Sequence, residues 1–191
     1  MISIESIVLF ITLAINLSLG IFILLRAKNQ DRFVAVNLAL SIIFLSLWIF
    51  GFFVASLTIN DAITLFGAKI TTIGATLFPL HFMIFAFGFT GIKIKRATIF
   101  ILYIALIIIN TIMLFTNYYI KAIRIFGHRY DYLPGDFYYR IPYIVFIFMI
   151  AGLFSLIYRY RYQDNIRKNQ IKYLFMGIAL AFLIASTTNI F

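Results

Sequence analysis

The run DAITLFGAKITTIGATLFPLHFMIFAFGFTG, residues 61–91, is apolar over a length typical of a membrane-spanning helix. A helix of about 20 apolar residues crosses the hydrocarbon core of a bilayer, and the stretch from Ala62 to Gly91 exceeds that length. It nevertheless contains a lysine and a histidine, Lys69 and His81, which are costly in lipid unless they are given partners. The run therefore predicts a spanning helix with unusual polar positions.

The composition of the whole chain agrees with a membrane protein. Hydrophobic residues make up 64% of the 191 residues and charged residues 12%, and the mean hydropathy is +1.05. A soluble domain needs far more polar surface. We attribute the net charge of +10 to membrane orientation and to contacts with anionic lipid headgroups, and we expect no nucleic-acid partner. The absence of cysteine excludes disulfides and thiolate chemistry.

Six apolar runs are long enough to span the bilayer. The expected fold class is all-α, a polytopic transmembrane helix bundle that forms a single sensor-like domain over residues 1–191. A short hairpin-like outer loop is expected between the fourth and fifth spans. The six predicted spans are about 7–25, 33–57, 62–91, 97–116, 141–158 and 173–191.

The loop charges predict the orientation of these spans. Most lysines and arginines lie in the loops after the first, third and fifth spans, and basic loops stay in the cytoplasm. The N-terminus is therefore predicted to lie outside, and after six crossings the final residues STTNIF would also reach the outer face. An output domain in the cytoplasm would need a seventh span, so we expect a longer protein. A complete six-span protein with both termini outside is the alternative.

Three residues in the outer half of the bundle are candidate ligand contacts. Lys69 lies roughly 10 Å below the outer end of the third span. It either snorkels to the outer headgroups or faces the bundle, to bind an anionic ligand or to pair with Asp61. Trp48 is expected at a similar depth, where ordinary packing and a cation–π contact with Lys69 are both open. Thr72 completes this candidate group.

A stripe of small residues runs along the third span. Gly67, Gly74, His81 and Gly88 recur every seven residues, and small residues allow two helices to approach closely. His81 is thus expected to face another helix. It is either a neutral packing histidine with hydrogen-bond partners or a proton sensor or ligand contact. Pro79 is expected to kink the helix beside it.

The segment of residues 117–140 is rich in aromatic side chains. Alternation of Ile123 and Ile125 with Arg124 indicates a short strand, and Pro134–Gly135 fits a type II turn. We expect a hairpin-like flap over the outer mouth of the bundle, acting as an aromatic belt at the headgroups, as a lid on a ligand pocket, or as both. The candidate ligand contacts in this flap are Tyr130, Tyr132, His128 and Arg129.

No motif for catalysis occurs in the sequence. The chain has no Gly-rich phosphate loop, no HExxH and no GxSxG. Its two histidines are expected at different depths, which makes a metal site from them implausible. We therefore expect that the chain is not itself an enzyme and that it holds no cofactor or metal.

Four segments resemble the N-terminal seven-helix membrane region of bacterial histidine kinases. They are NLALSIIFLSLWIFGFF (37–53), GAKITTIGATLFPLHFMIFAFGFTG (67–91), FGHRYDYLPGDFYYR (126–140) and RKNQIKYLFMGIALAF (167–182). The resemblance rests on Trp48 and Gly51 in the first, on Gly74, Pro79 and the closing Phe-Thr-Gly in the second, and on Gln170 in the fourth. It implies a module that begins outside, crosses seven times and joins a cytoplasmic kinase or related output. The sequence contains no phosphoacceptor-histidine segment and no ATP-binding motif.

These features together favour a membrane-embedded signal-sensing module. We expect the N-terminal part of a histidine kinase or related receptor in the bacterial plasma membrane, which couples an extracellular or membrane-borne ligand to a cytoplasmic output. The expected partners are membrane lipids, an unidentified small ligand, a second copy in a homodimer, and a cytoplasmic signalling domain in cis or in trans. A small transporter or channel-like protein and an assembly subunit of a membrane complex are the alternatives.

Overall fold

The computed structural model describes residues 4–27, 32–57, 59–126 and 129–188, without the side chains of 126, 129, 130 and 178–188. This part of the chain is mostly helical, with one two-stranded sheet and a single turn of 3-10 helix at Tyr160–Tyr162. In chain order the elements are α1 (Ile4–Arg26), α2 (Arg32–Ser56), α3 (Asp61–Phe89), α4 (Arg96–Phe115), β1 (Ile120–Phe126), β2 (Arg129–Pro134), α5 (Ile141–Arg159) and α6 (Asn165–Thr188).

Within the described residues, five helices are long and apolar enough to cross a membrane, and they coincide with the first five predicted runs. These helices are those expected of a multi-pass, helical membrane protein. The sixth span stays a prediction: α6 begins at Asn165, before the predicted start at residue 173, and residues 189–191 lie outside the described part. The orientation also stays a prediction. We call the end that carries β1 and β2 the hairpin face, and the opposite end, with Arg26, Lys93 and Arg161, the basic face.

The helix α3 is the axis of the bundle. It packs against α2, α4, α5 and β1, and 67% of its spanning window is buried, compared with 28% for α2 and 11% for α1. The outward side chains of the surrounding helices are apolar and exposed, as Phe100 of α4 and Phe146 of α5 illustrate. Such surfaces suit contact with lipid tails. The buried polar residues Thr71, Thr76 and His81 of α3 each make a hydrogen bond within the protein.

The glycine stripe of α3 faces α2. A Cβ atom at Gly67 would lie 2.6 Å from the backbone nitrogen of Ala55. A Cβ atom at Gly74 would overlap the backbone nitrogen of Trp48 and lie 2.6 Å from the carbonyl oxygen of Phe44. The prediction of a close helix contact along this stripe is confirmed, because only glycine leaves room for the two backbones at these positions.

The predicted strand and hairpin are present at the end of α3. The strands β1 and β2 pair antiparallel, with Ile123 opposite Tyr132. Ile120 and Ile123 of β1 form a buried cluster with Ala68 of α3. This packing lays the hairpin on the end of α3, as expected for a flap.

The predicted type II turn at Pro134–Gly135 is wrong. That turn needs a positive φ at its glycine, and among the described glycines only Gly91 has one, at 76°. Gly135 instead donates its backbone N–H to the carbonyl oxygen of Tyr119 at 2.7 Å, and a Cβ atom there would overlap the carbonyl of Tyr118. Glycine is needed at this position for close backbone approach.

Candidate functional site

Polar side chains of α3 bind α4 at three depths. The first contact lies near the hairpin face, the second near the middle of the bundle and the third towards the basic face. The α3 residues that make these contacts are Lys69, Thr76 and His81.

Lys69 is half-buried and caps the end of α4. Its Nζ donates to the carbonyl oxygen of Thr116 at 2.8 Å and to that of Leu114 at 3.3 Å. The last carbonyls of a helix lack N–H partners within the helix and carry the negative end of its dipole, so a cation is favourable there. In the described part of the chain, Lys69 forms no ion pair and no cation–π contact with Trp48. Its only observed partners are therefore neutral main-chain groups.

The middle contact joins Thr76 to Asn110. The Asn110 Nδ2 donates to Thr76 Oγ1 at 2.8 Å and to the carbonyl oxygen of Leu106 at 2.8 Å. Thr76 is fully buried, and its hydroxyl can donate to the carbonyl of Thr72 at 2.9 Å. Both polar side chains thus have the partners that an apolar interior demands.

The third contact places His81 between α2 and α4. Its Nδ1 lies 3.1 Å from Asn37 Oδ1 and its Nε2 lies 3.0 Å from the Tyr103 hydroxyl. Asn37 donates its Nδ2 to the carbonyl oxygen of Phe33, which leaves Oδ1 as an acceptor for a proton on Nδ1. Nε2 then accepts from Tyr103, so a neutral imidazole is satisfied at both nitrogens. The ring also stacks on Phe44, with centroids 5.1 Å apart.

Thr72 carries a buried hydroxyl beneath the hairpin. The residue is 1% exposed, and its Oγ1 makes no hydrogen bond of normal geometry within the described residues. The Tyr119 phenol is its neighbour: burial raises the pKa of Tyr119, the Tyr132 phenol raises it further, and the Thr72 hydroxyl lowers it. Thr72 is therefore a buried hydroxyl with the Tyr119 phenol as its polar neighbour.

Three tyrosines form a cluster over this hydroxyl, and we call Tyr119, Tyr132 and Tyr138 the tyrosine cluster. The rings of Tyr119 and Tyr138 have centroids 5.4 Å apart, and those of Tyr132 and Tyr138 are 5.5 Å apart. Tyr138 donates its hydroxyl to that of Tyr132 at 3.0 Å. Burial, together with this hydrogen bond, raises the pKa of Tyr138, so the phenol stays protonated and keeps its donor.

Three of the six predicted ligand contacts lie towards the hairpin face. Lys69, Thr72 and Tyr132 lie at the hairpin face, where Tyr119 links Thr72 to Tyr132. Trp48 belongs to α2, where its ring lies 5.9 Å from that of Phe52.

The other predicted contacts lie elsewhere or outside the described groups. His81 is located towards the basic face, among helix residues. The side chain of Tyr130 is not among those described, and neither is that of Arg129, while His128 lies outside the described residues. A ligand role for any of the six stays a prediction.

The partners of Thr72, Thr76 and His81 were not predicted from the sequence. Asn110 and Tyr103 are isolated polar residues in the apolar α4, and a single residue carries no periodic signal. Tyr119 and Tyr138 were visible only as part of an aromatic segment. The one available signal was the need of each buried polar residue on α3 for a partner on a neighbouring helix.

Comparison with known proteins agrees with this architecture. The family described as the N-terminal 7TM region of histidine kinase matches residues 8–191. No curated protein and no solved structure matches the chain. The matched range includes all three α3–α4 contacts, the glycine stripe and the hairpin. The chain therefore belongs to the family of N-terminal seven-transmembrane regions of histidine kinases.

Proposed function

We propose that the chain is the signal-sensing module of a histidine kinase in a bacterial plasma membrane, which couples an extracellular or membrane-borne ligand to a cytoplasmic output. The family region is a non-catalytic module of such kinases. The observation that carries the proposal is the position of Lys69, a cation within a spanning helix whose only described partners are main-chain carbonyls. Thr72 and the tyrosine cluster beside it supply further polar groups.

The chemistry of this site favours a ligand with an anionic group. A charged acceptor binds an ammonium more strongly than a neutral carbonyl does, so such a ligand would compete with Leu114 and Thr116 for Lys69. The buried Thr72 hydroxyl beside Tyr119 would offer the ligand a further hydrogen bond. Ligand binding and the cap of α4 thus depend on the same ammonium. In one arrangement of α3 and α4 Lys69 binds the α4 carbonyls, and in the other it binds the ligand. The ligand shifts the equilibrium between these arrangements by its difference in affinity for the two.

The far end of α3 contacts the first turn of α6. The Arg167 Nη1 of α6 lies 3.4 Å from the carbonyl oxygen of Phe89, and its guanidinium carbon is 5.7 Å from the centre of the Phe89 ring. A rearrangement of α3 against α4 would therefore reach α6 through Arg167. In the proposed mechanism this movement passes to a cytoplasmic signalling domain within a homodimer.

Replacing Lys69 with methionine in the histidine kinase tests this site. The substitution keeps the length of the side chain but removes the charge that caps α4, and a charge at a partly buried helix end contributes up to about 2 kcal/mol. We expect the rate of autophosphorylation in membrane vesicles to differ about tenfold between this variant and the wild type. Lys121→Met is the matched control, because Lys121 is exposed and pairs only with the exposed Asp136 among its described contacts. Equal output from both variants and the wild type would refute the site.

A further inference from the structure

We propose that a cleft between α5 and α6 on the basic face binds one anionic phospholipid. The phosphate would lie on Arg161 and Lys172, and an acyl chain would lie along the apolar wall. This proposal concerns a site separate from the hairpin face and does not depend on the ligand proposed there.

The cleft has the size and lining that such a lipid needs. Its volume is about 530 Å³, within the range of about 300–1,000 Å³ that is usual for ligand sites. Ile157 of α5 and Met176 of α6 are 60% and 65% exposed, so the cleft opens sideways to the region where lipid would lie. Ile171 and Phe175 of α6 complete the apolar wall.

The charges around the cleft select an anionic occupant. Residues 159–172 include five basic side chains and one acidic side chain, Asp164. Asp164 accepts the backbone N–H of Arg167 at 2.8 Å and so caps the start of α6. Among the described residues neither Arg161 nor Lys172 forms an ion pair. Two cations that lack protein carboxylates, beside an apolar wall, match a phosphate joined to a hydrocarbon chain.

The exposed aromatic residues nearby place the cleft at headgroup level. Tyr162 and Tyr173 are 74% and 72% exposed and flank the cleft in sequence. Tyrosine is enriched where a membrane meets water, because its ring is apolar and its hydroxyl polar. The phosphate and the two cations would therefore meet at the depth where lipid phosphates lie. This location favours a lipid over a soluble phosphate compound.

Native mass spectrometry of the protein from nanodiscs tests the proposal. The nanodiscs contain phosphatidylcholine doped with phosphatidylglycerol, and the measured quantity is the phosphatidylglycerol that remains bound to each chain. The double variant R161Q/K172Q should lose about twenty-fivefold in affinity, since each basic residue near an anionic surface contributes about fivefold. Lys95→Gln with Arg96→Gln is the matched control, because Lys95 before α4 and Arg96 at its start are both exposed and removing them changes the net charge equally.

A second variant separates the cleft from general surface charge. Ile157→Trp should fill the cleft, keep both cations and still reduce lipid retention, and the exposure of Ile157 makes the larger side chain tolerable. Equal losses in the two charge variants would overturn the proposal, because the effect would then be diffuse electrostatics. Unchanged retention of phosphatidylglycerol in R161Q/K172Q and in Ile157→Trp would overturn it as well. The cleft would then be a contact surface for another helix or for a second copy of the chain.

Discussion

Replacing Gly74 with alanine should destabilise the bundle by about 3 kcal/mol, near the upper end of the usual range for overpacking. The added Cβ atom would overlap the backbone nitrogen of Trp48 and press on the carbonyl oxygen of Phe44. Neither obstacle is the flexible end of a side chain, so α2 and α3 must move apart. Because α3 is the axis of the bundle, that separation also strains its contacts with α4 and α5. The measurement is unfolding of the purified protein in mixed detergent micelles.

Gly177→Ala is the control for helix propensity. Among the described residues outside its own helix turn, nothing lies within 4 Å of a Cβ atom placed at Gly177 of α6, and alanine is favoured over glycine within a helix by about 0.5–1 kcal/mol. This control should therefore be neutral or slightly stabilising. A Gly74→Ala protein as stable as the Gly177→Ala protein would contradict the close packing of α2 on α3.

Replacing His81 with phenylalanine should cost about 1–3 kcal/mol of unfolding free energy. Phenylalanine keeps the aromatic contact with Phe44 but removes both nitrogens, which leaves the Asn37 Oδ1 and the Tyr103 hydroxyl without their shared partner. The expected loss comes mainly from these unpaired groups. Unfolding in micelles measures it.

A double-mutant cycle then isolates the His81–Asn37 hydrogen bond. With His81→Phe, Asn37→Leu and the double variant, the coupling energy should be about 0.6–1.7 kcal/mol, which runs from the average to the maximum found for hydrogen bonds between membrane helices. Additive effects of the two substitutions would show that the two side chains do not stabilise each other. His81 would then be a packing residue without a polar partner on α2.

The main features of the fold could be predicted because they depend on repeated patterns. Five of the six apolar runs coincide with helices that can span a membrane. The seven-residue spacing of Gly67, Gly74 and His81 predicted the face of α3 that packs on another helix, and that helix is α2. Alternation around Arg124 predicted the strand β1. Gly135 was interpreted wrongly, because a glycine can be needed for positive φ or for space, and its sequence context does not distinguish these needs.

The candidate site was harder to predict because its contacts join residues far apart in sequence. Lys69 was expected to meet headgroups, a ligand or Asp61, but it binds the carbonyls of Leu114 and Thr116. Main-chain carbonyls carry no sequence signal, since every residue has one. Thr72 was selected only for its depth, and the proximity of Tyr119 to its hydroxyl depends on how the hairpin folds over α3.

The family assignment favours sensing over the transporter and assembly alternatives, and the sensing proposal requires the hairpin face to lie outside the cell. The absence of cysteine from the chain allows a direct test of this orientation with single cysteines. Lys121→Cys lies on the exposed surface of β1, and Lys93→Cys lies in the exposed connection between α3 and α4.

A membrane-impermeant maleimide applied to intact cells is the most direct measurement. The proposed orientation predicts that Lys121→Cys is labelled in intact cells, and that Lys93→Cys is labelled only after the membrane is permeabilised. The reverse pattern would place Lys69, Thr72 and the tyrosine cluster on the cytoplasmic side, and would contradict a sensor that receives an outside signal at the hairpin face.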